Sequence, residues 1–495
     1  MQIEQPKDTP YIVRFDHGLG DAANFAHALP LWTRRGFDVR IHTADNKKDL
    51  FEAAGVSVVD HHDRVHEYRH PTGQPANMMN GWAENKCGWN LTQAPMPYIG
   101  SEAELWDELL GVELTLKNQL SKESKKEIDT WLKSLPSRPI LIHTRANTSA
   151  GMKNLSDGDE LELYKHLLKQ TENTLILLDW DNRVKWFHHT RIRHLSEFRG
   201  LTVPELWYLM ECSALLIGVD SGPLHTTRFS SVPALGIWSK HHPAKFALPR
   251  ANTLHLVEAH HGKWNSLRRH SYNLADVERL DGATIAGFAS RMVEGYQPSE
   301  IVWRNVLEKV NTERNGRHMD RGRTIGAALA SNPSRIIETG TMRAIDDWTA
   351  GGSTYLFGMW LKDQGSGELD SVDLNPANVK FAREHTEPFA DYVKIHEGDS
   401  LDYLAQAGKA DLIYLDSLDT DEPGCAEHGL AEAKLASKLT YMILIDDCTV
   451  SGKFTGKGEK AVPWLISQGW KIHPASGYQI LMTKPLPQFQ KKGAS

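Results

Sequence analysis

The chain has 495 residues, too many for one hydrophobic core, and its length indicates about three units of ordinary domain size. Hydrophobic residues make up 40% of the chain and charged residues 24%, a balance that excludes a mainly disordered protein. The formal net charge of −7 excludes an overall cationic surface of the kind that holds nucleic acid or an anionic membrane.

The first residues contain neither the basic stretch nor the long apolar stretch of a secretory signal. No apolar run in the sequence reaches 18 residues. We therefore expect a cytoplasmic protein that does not insert into a membrane.

Apolar runs of strand length alternate with amphipathic helical stretches, a pattern typical of parallel α/β units. The first series has a strand at 11–15, a glycine turn, a helix over 22–35 and a second strand at 40–44. Residues 58–100 are rich in His, Asn, Trp and Pro, which predicts loops carrying substrate contacts. A charged helix and a Pro/Ser turn end this unit at residue 136.

A second series runs from 137 to 312, and residues 313–324 are predicted to be an exposed, basic linker. A third series over 325–495 contains five apolar strands separated by helices and a closing hairpin. The predicted strands of the two later series are 140–144, 175–181, 214–222, 232–238, 335–339, 369–375, 392–400, 410–417, 441–448, 469–474 and 478–485. The sequence predicts three Rossmann-like α/β domains.

Three segments of the first two units combine glycine turns with polar residues. The first, GLGD, places Asp21 at the start of a helix, where aspartate also serves as an ordinary cap. The second supplies Thr144 at a strand end and Lys153 after a short loop. This lysine can reach a diphosphate as a point charge, or it can be a simple surface lysine.

The third segment, GVDSGPLH, is the most specific of the three. A buried strand ends in Asp220, and Ser221 and Gly222 then expose backbone N–H groups at the start of a helix. His225 lies in the first turn of that helix. This arrangement predicts an anion site for the diphosphate of a nucleotide leaving group.

In order and spacing, these segments resemble the heptosyltransferase-like glycosyltransferases of family 9, over roughly residues 11–295. The resemblance implies a GT-B fold of two facing Rossmann-like domains and an inverting reaction. It also implies that Asp21 is the general base and that Lys153, Thr144, Ser221 and Gly222 hold the donor diphosphate. The segment 58–100 does not follow the family pattern, so neither a heptose donor nor a lipopolysaccharide acceptor is inferred.

The third unit places polar residues at successive strand ends. Glu338 and Gly340 follow the first strand, where the amino-acid part of a cofactor can approach the backbone. Asp373 ends the second strand and is suited to bind ribose hydroxyls. Asp399 and Ser400 end the third and are placed beside an adenine ring.

Two further strands of this unit end in carboxylates, Asp416 on one and Asp446 and Asp447 on the other. Three carboxylates at adjacent strand ends suit a hard divalent ion, although acidic strand ends also occur without a metal.

The strand ends over 325–485 resemble class I methyltransferases, particularly O-methyltransferases. The resemblance implies S-adenosylmethionine as cofactor. It also implies Mg²⁺ on the three carboxylates, with Asp416 at the reacting hydroxyl. The first turn departs from the family, because residues 342–350 intervene before the next glycines.

Together the motifs predict a bifunctional enzyme. One module transfers a sugar from a nucleotide-sugar donor to a hydroxyl of a glycan or small molecule, and the other methylates an oxygen of that sugar or product. Two alternatives remain open at this point: a methyltransferase with an inert carbohydrate-binding module, and an enzyme that modifies a hydroxylated base of nucleic acid.

Overall fold

A computed structural model describes most of the chain as two compact units, Met1–Ile301 and Val302–Ser495, with the boundary inside one helix. The described residues are 11–15, 18–59, 102–147, 150–179, 188–239, 241–258, 272–309, 311–314, 317–344, 352–450 and 453–484. The expected substrate loops at 58–100 lie almost wholly outside these ranges, as does most of the 342–350 insertion.

The amino-terminal part of the first unit is built on a parallel sheet whose described strands are β1 (Tyr11–Phe15), β2 (Val39–Thr43) and β3 (Ser57–Val58). Three buried rings, Phe15, Phe25 and Phe51, join this sheet to its helices, with centroids 5.3 to 6.0 Å apart. The helices of this part are α1 (Leu19–Ala28), α2 (Pro30–Thr33), α3 (Asp45–Ala53), α4 (Glu102–Leu110) and α5 (Lys122–Lys133).

The rest of the first unit contains a seven-stranded sheet in the order β10-β9-β8-β7-β4-β5-β6, with every pair parallel. The strands are β4 (Pro139–His143), β5 (Thr174–Leu177), β6 (Ile192–His194), β7 (Leu215–Val219), β8 (Ala234–Trp238), β9 (Thr253–Glu258) and β10 (Asn273–Val277). The order reverses between β4 and β7, and ligands of such sheets bind in the crevice at that point.

Local capping chemistry marks the starts of several helices that follow in the chain. The Ser156 hydroxyl accepts a hydrogen bond from the backbone N–H of Asp159, and the Asp281 carboxylate accepts one from that of Thr284. The helices are α6 (Ala150–Lys153), α7 (Asp157–Gln170), α8 (Val203–Glu211), α9 (Gly222–Thr226), α10 (Pro243–Phe246), α11 (Gly282–Val293) and α12 (Pro298–Lys309).

The second unit has its own seven-stranded sheet, in the order β15-β14-β13-β16-β17-β21-β20. Its strands are β13 (Arg335–Thr339), β14 (Glu368–Asp373), β15 (Val393–Glu397), β16 (Leu412–Leu415), β17 (Met442–Ile445), β20 (Lys471–Ile472) and β21 (Ile480–Thr483). The first five strands are parallel, and β21 runs antiparallel to β17. The order reverses between β13 and β16, which places a second crevice there.

The helices of the second unit are α13 (Arg321–Leu329), α14 (Ser353–Gln364), α15 (Pro376–Thr386), α16 (Ser400–Gln406), α17 (Cys425–Leu439) and α18 (Gly458–Ser467). Two short antiparallel pairs complete it, β11 (Asn311–Arg314) with β12 (Arg317–Asp320) and β18 (Thr449–Val450) with β19 (Lys453–Phe454). The segment expected to be a linker at 313–324 therefore contains a strand pair and the first turn of α13.

The predicted fold class, α/β with Rossmann-like parallel sheets, is confirmed by these two seven-stranded sheets. Among the described residues, no helix is both long enough and apolar enough to cross a bilayer.

Candidate active sites

In the first unit, the reversal of strand order brings the ends of β4 and β7 side by side, with His143 paired in register to Gly218. The carboxylate of Asp220 lies immediately beyond β7 and is buried. Its Oδ1 accepts a hydrogen bond from Nε2 of His225 at 2.9 Å, and its Oδ2 accepts one from Nδ1 of His241 at 2.7 Å. Nζ of Lys153 lies 3.0 Å from the same Oδ2.

The electrostatics of this cluster favour the ionised carboxylate. Burial by itself would raise the pKa of Asp220, but the hydrogen bonds from His225 and His241 and the charge of Lys153 hold that pKa well below its usual range. A buried anion thus holds one lysine and two imidazoles at the end of β7.

The start of α1 packs directly against α9. A Cβ atom at Gly20 would lie 2.7 Å from Cδ2 of His225, and one at Gly222 would lie 2.9 Å from Cβ of Leu19. Both glycines are therefore required by close approach of the two helix starts. Asp21 directly follows Gly20, in the first turn of α1.

A cavity of about 880 Å³ lies at this junction. The sequence-predicted residues that line it are Asp21, Lys153, Asp220, Ser221, Gly222 and His225. Further lining residues from α3 and from the α8 region were not predicted: Asp45, Lys47, Asp49, Arg199 and Glu205. The cavity therefore joins polar groups from both halves of the first unit, which are about two hundred positions apart in the sequence.

The structure does not bring Thr144 to this cavity. Its side chain is buried, and its hydroxyl donates to the carboxylate of Glu160, which also accepts from Arg145 and Tyr164. The neighbouring His143 lines the cavity instead, with Nδ1 2.8 Å from Oγ of Ser221. His143 is the last residue of β4, whereas the predicted strand 140–144 ended one residue later, at Thr144.

In the second unit, a cavity of about 480 Å³ lies at the carboxyl ends of the sheet. The predicted residues that line it are Gly340, Asp373, Asp399, Ser400, Asp416, Asp446 and Asp447. Gly340 has φ of +82°, and a Cβ atom there would lie 2.3 Å from the backbone oxygen of Asp416. Only glycine fits this turn, because the ends of β13 and β16 approach so closely.

Asp373 and Asp399, the carboxylates predicted to bind the cofactor, also accept hydrogen bonds from backbone N–H groups. Asp373 accepts hydrogen bonds from the backbone N–H groups of Thr341, at 3.1 Å, and Asn375, at 2.8 Å. Asp399 caps α16 by accepting from the N–H of Leu401 at 2.8 Å. These contacts fix both carboxylates at the rim of the cavity.

Glu338 does not line this cavity. It is 1% exposed, and its carboxylate accepts hydrogen bonds from the hydroxyls of Ser353, Thr354 and Ser371 at 2.6 to 2.7 Å. Burial raises the pKa of Glu338 to about 7, although the three hydroxyls oppose that rise. Glu338, near the end of β13, is therefore hydrogen-bonded to α14 and β14 and does not face a ligand.

The three carboxylates of Asp416, Asp446 and Asp447 each offer an oxygen within 4.8 Å of the others. Two cations that the sequence did not single out already pair with them. Nζ of Lys457 lies 2.8 Å from Oδ1 of Asp416 and 2.9 Å from Oδ2 of Asp447. The guanidinium of Arg321 lies 3.1 Å from Asp446 and 3.3 Å from Asp447.

This carboxylate cluster does not fit Mg²⁺ as it stands, because a magnesium site requires free oxygen ligands in near-octahedral geometry. No local sequence signal marked the two cations. Arg321 fell in the expected linker, and Lys457 follows a short strand pair far from β16.

Comparisons with known proteins give one family match and several similar solved structures. Residues 348–448 match the model of a family described as a methyltransferase domain. A family 9 glycosyltransferase structure from Veillonella parvula is 12% identical, with 59% of this chain and 99% of that chain covered and a TM-score of 0.38. The ADP-heptose lipopolysaccharide heptosyltransferase II of E. coli is 10% identical, with 58% and 99% covered and a TM-score of 0.37.

A methyltransferase structure from Geobacter sulfurreducens is 15% identical, with 41% of this chain and 96% of that chain covered and a TM-score of 0.25. No curated protein matches the chain at a significant level. The predicted resemblance to these two groups is confirmed. The second unit carries a methyltransferase domain, and the chain is an enzyme.

Proposed function

We propose that the chain is a bifunctional transferase. Its first unit transfers a sugar from a nucleotide-sugar to an acceptor hydroxyl, and its second unit methylates an oxygen of the sugar or product with S-adenosylmethionine. The observation that carries the first activity is the shared cavity, which is lined by Asp21 and by Lys153, Asp220 and His225. Its volume of about 880 Å³ lies within the range of ligand pockets and is large enough for a nucleotide-sugar.

The residues divide the reaction between them. The acceptor hydroxyl attacks the anomeric carbon, and the Asp21 carboxylate accepts its proton as the new carbon–oxygen bond forms. The bond from that carbon to the diphosphate oxygen breaks, and the diphosphate leaves with the electron pair. Lys153, held at 3.0 Å from Asp220, keeps further N–H donors for this negative charge. Attack from the side opposite the diphosphate inverts the anomeric centre.

The second activity is supported by the methyltransferase match and by the 480 Å³ cavity at the strand reversal. Asp373 is assigned to the ribose, Asp399 and Ser400 to the adenine side, and Asp416 to the hydroxyl that receives the methyl group. When bound, S-adenosylmethionine supplies an electrophilic methyl group. No step is assigned to Mg²⁺, because Lys457 and Arg321 already pair with the carboxylates that would bind it.

Replacement of the proposed base tests the first activity. Nucleotide-sugars that raise the melting temperature of the wild type are selected first, since ligands that bind the native state stabilise it. Asp21→Asn should then lower the rate of sugar transfer or donor hydrolysis by about 10²- to 10⁴-fold, because the amide cannot accept the proton. Rates are followed by release of the nucleoside diphosphate.

Asp38→Asn is the matched control, because Asp38 is an exposed carboxylate of the same half that bonds to Arg40. It should leave the rate unchanged. Transfer at wild-type rate by Asp21→Asn would remove Asp21 from the role of base. A complete panel of nucleotide-sugars without binding or turnover would favour a non-catalytic carbohydrate-binding module.

A further inference from the structure

The carboxylate cluster of the second unit, formed by Asp416, Asp446 and Asp447, already contains its own cation. Lys457 reaches it from the residue before α18, and its side chain is 2% exposed. Its ammonium donates to Asp416 and Asp447 at 2.8 and 2.9 Å, the length of charge-assisted hydrogen bonds. The ammonium therefore bridges two of the carboxylates that a divalent ion would bridge.

The backbone of Lys457 is fixed on both sides. A Cβ atom at Gly429, on α17, would lie 2.6 Å from the backbone oxygen of Lys457. A Cβ atom at Gly458 would lie 2.6 Å from Sγ of Cys448, which is itself fully buried. Moving the ammonium away from the carboxylates by a backbone shift would therefore disrupt the packing of α17 against the start of α18.

Three of the six carboxylate oxygens of the cluster also have donors other than Lys457. Oδ1 of Asp447 accepts from Tyr478 and from Arg321, and Oδ2 of Asp446 accepts from Tyr414 at 3.1 Å. Oδ1 of Asp446 accepts from the backbone N–H of Asp447 at 2.8 Å. A metal ion bound here would displace several of these hydrogen bonds as well as the lysine.

The formal charges of the cluster also disfavour a bound divalent ion. Three carboxylates and two cations, Lys457 and Arg321, sum to −1. A divalent ion would change that sum to +1 and would lie beside a buried ammonium. Removal of the lysine charge alone would change the sum to −2, which a divalent ion neutralises.

We propose that the Lys457 ammonium takes the place of a divalent metal ion in this cluster, so that the second unit holds its catalytic carboxylates without a metal. Lys457 is a positioning residue, which acts on the cavity through Asp416 and Asp447. This proposal rests on the proposed methyl transfer and adds that the reaction does not depend on a metal ion. It also rests on the cluster's geometry, however, and can be tested by cation binding whether or not methyl transfer is observed.

Binding of Mn²⁺ to the full chain, followed by the loss of the free-ion signal in electron paramagnetic resonance, tests this directly. Wild type and Asp447→Asn should give the same Mn²⁺ isotherm. Lys457→Ala should bind one additional Mn²⁺ per chain, which neither the wild type nor Asp447→Asn binds. Lys457→Ala/Asp447→Asn should lose that additional ion.

Two results would overturn the assignment. One is a wild-type Mn²⁺ site that disappears in Asp447→Asn or in Asp416→Asn, since the cluster would then hold a metal beside the lysine. The other is a folded Lys457→Ala that gains no site. Lys457→Met, which retains more of the apolar volume, replaces Lys457→Ala if the smaller side chain prevents folding. If neither variant folds, the comparison of Mn²⁺ binding by the wild type with that by Asp447→Asn and Asp416→Asn tests the proposal.

Discussion

Lys457 and Glu338 are both buried ionisable side chains of the second unit. The surroundings of Lys457 favour its charged form, whereas those of Glu338 favour its neutral form. Burial by itself lowers the pKa of Lys457, yet the charges of Asp416 and Asp447 raise it well above its usual range. Glu338 accepts hydrogen bonds from three hydroxyl groups, and burial raises its pKa to about 7. The lysine is therefore held as an ion, whereas ionisation of the glutamate opposes folding.

The stability of the second unit should consequently depend on pH through Glu338. Its pKa of about 7 in the folded protein lies above the ordinary glutamate pKa of 4.5, so its contribution to the free energy of unfolding is fully present below pH 4.5 and is lost as the pH rises through 7. Relative to Glu338→Gln, the wild type should lose about 2 to 3 kcal/mol of unfolding free energy between pH 5 and pH 8. Urea unfolding of both proteins across this range measures the difference.

Glu397→Gln provides the matched substitution, because Glu397 is an exposed glutamate at the end of β15. It should leave the pH dependence of the wild type in place. If the free energy of unfolding depended on pH in the same way for wild type and Glu338→Gln, the pKa of Glu338 would be the same in the folded and unfolded chain, which would contradict the prediction.

At the scale of elements, the strand–turn–helix junctions determine where the cavities lie. The turn after β13 brings the backbone at Gly340 against β16, and the turn before α1 brings Gly20 against α9. Each junction places polar groups from distant parts of its own unit around one cavity. The glycines of these turns were visible in the sequence, but the partner of each turn was not.

Replacing a glycine at such a junction should lower the free energy of unfolding much more than replacing one at a helix end with open space around it. Gly340→Ala places a Cβ at positive φ and 2.3 Å from the backbone oxygen of Asp416. Gly365→Ala has a φ of +66° at the end of α14 but open space around the new Cβ, so it costs only about 1 kcal/mol. We expect Gly340→Ala to lower the free energy of unfolding by at least about 2 kcal/mol more than Gly365→Ala does, as measured by chemical denaturation. Equal losses would mean that the β13 turn relaxes freely.

At the scale of the whole molecule, each cavity is lined by described residues of one unit alone. The two units also have separate hydrophobic cores, for example around Phe25 in the first and around Phe357 in the second. Each ligand is therefore expected to stabilise the unit that binds it.

Amide hydrogen exchange with S-adenosylmethionine tests this expectation. The cofactor should slow exchange at the ends of β13 and β14 and leave the first unit unchanged, because bound ligand suppresses local opening. Asp373→Asn should remove the protection, and Asp391→Asn, which changes an exposed aspartate before β15, should retain it. Protection that survives in Asp373→Asn would contradict the ribose assignment. Protection confined to the first unit would contradict the division of ligands between the units.

The sequence by itself determined the α/β class, all the strands of the second seven-stranded sheet, four strands of the first (β4, β5, β7 and β8) and the turns at the two reversal points. These features depend on local patterns: apolar runs set strands, and glycines followed by polar residues mark turns. Predicted strands such as 335–339 and 140–144 agree with β13 and β4 to within a residue. Three further strands of the first sheet, β6, β9 and β10, were not predicted.

Only the tertiary structure decided which polar groups face the cavities. Thr144 and Glu338 stand at predicted strand ends but turn into the protein, toward Glu160 and toward three hydroxyls. His241, Arg321 and Lys457 reach the sites from segments 10 to 126 positions away from the groups they bind. Spacing along a chain does not encode such pairs, because the sheet order and the packing of helices against it bring the partners together.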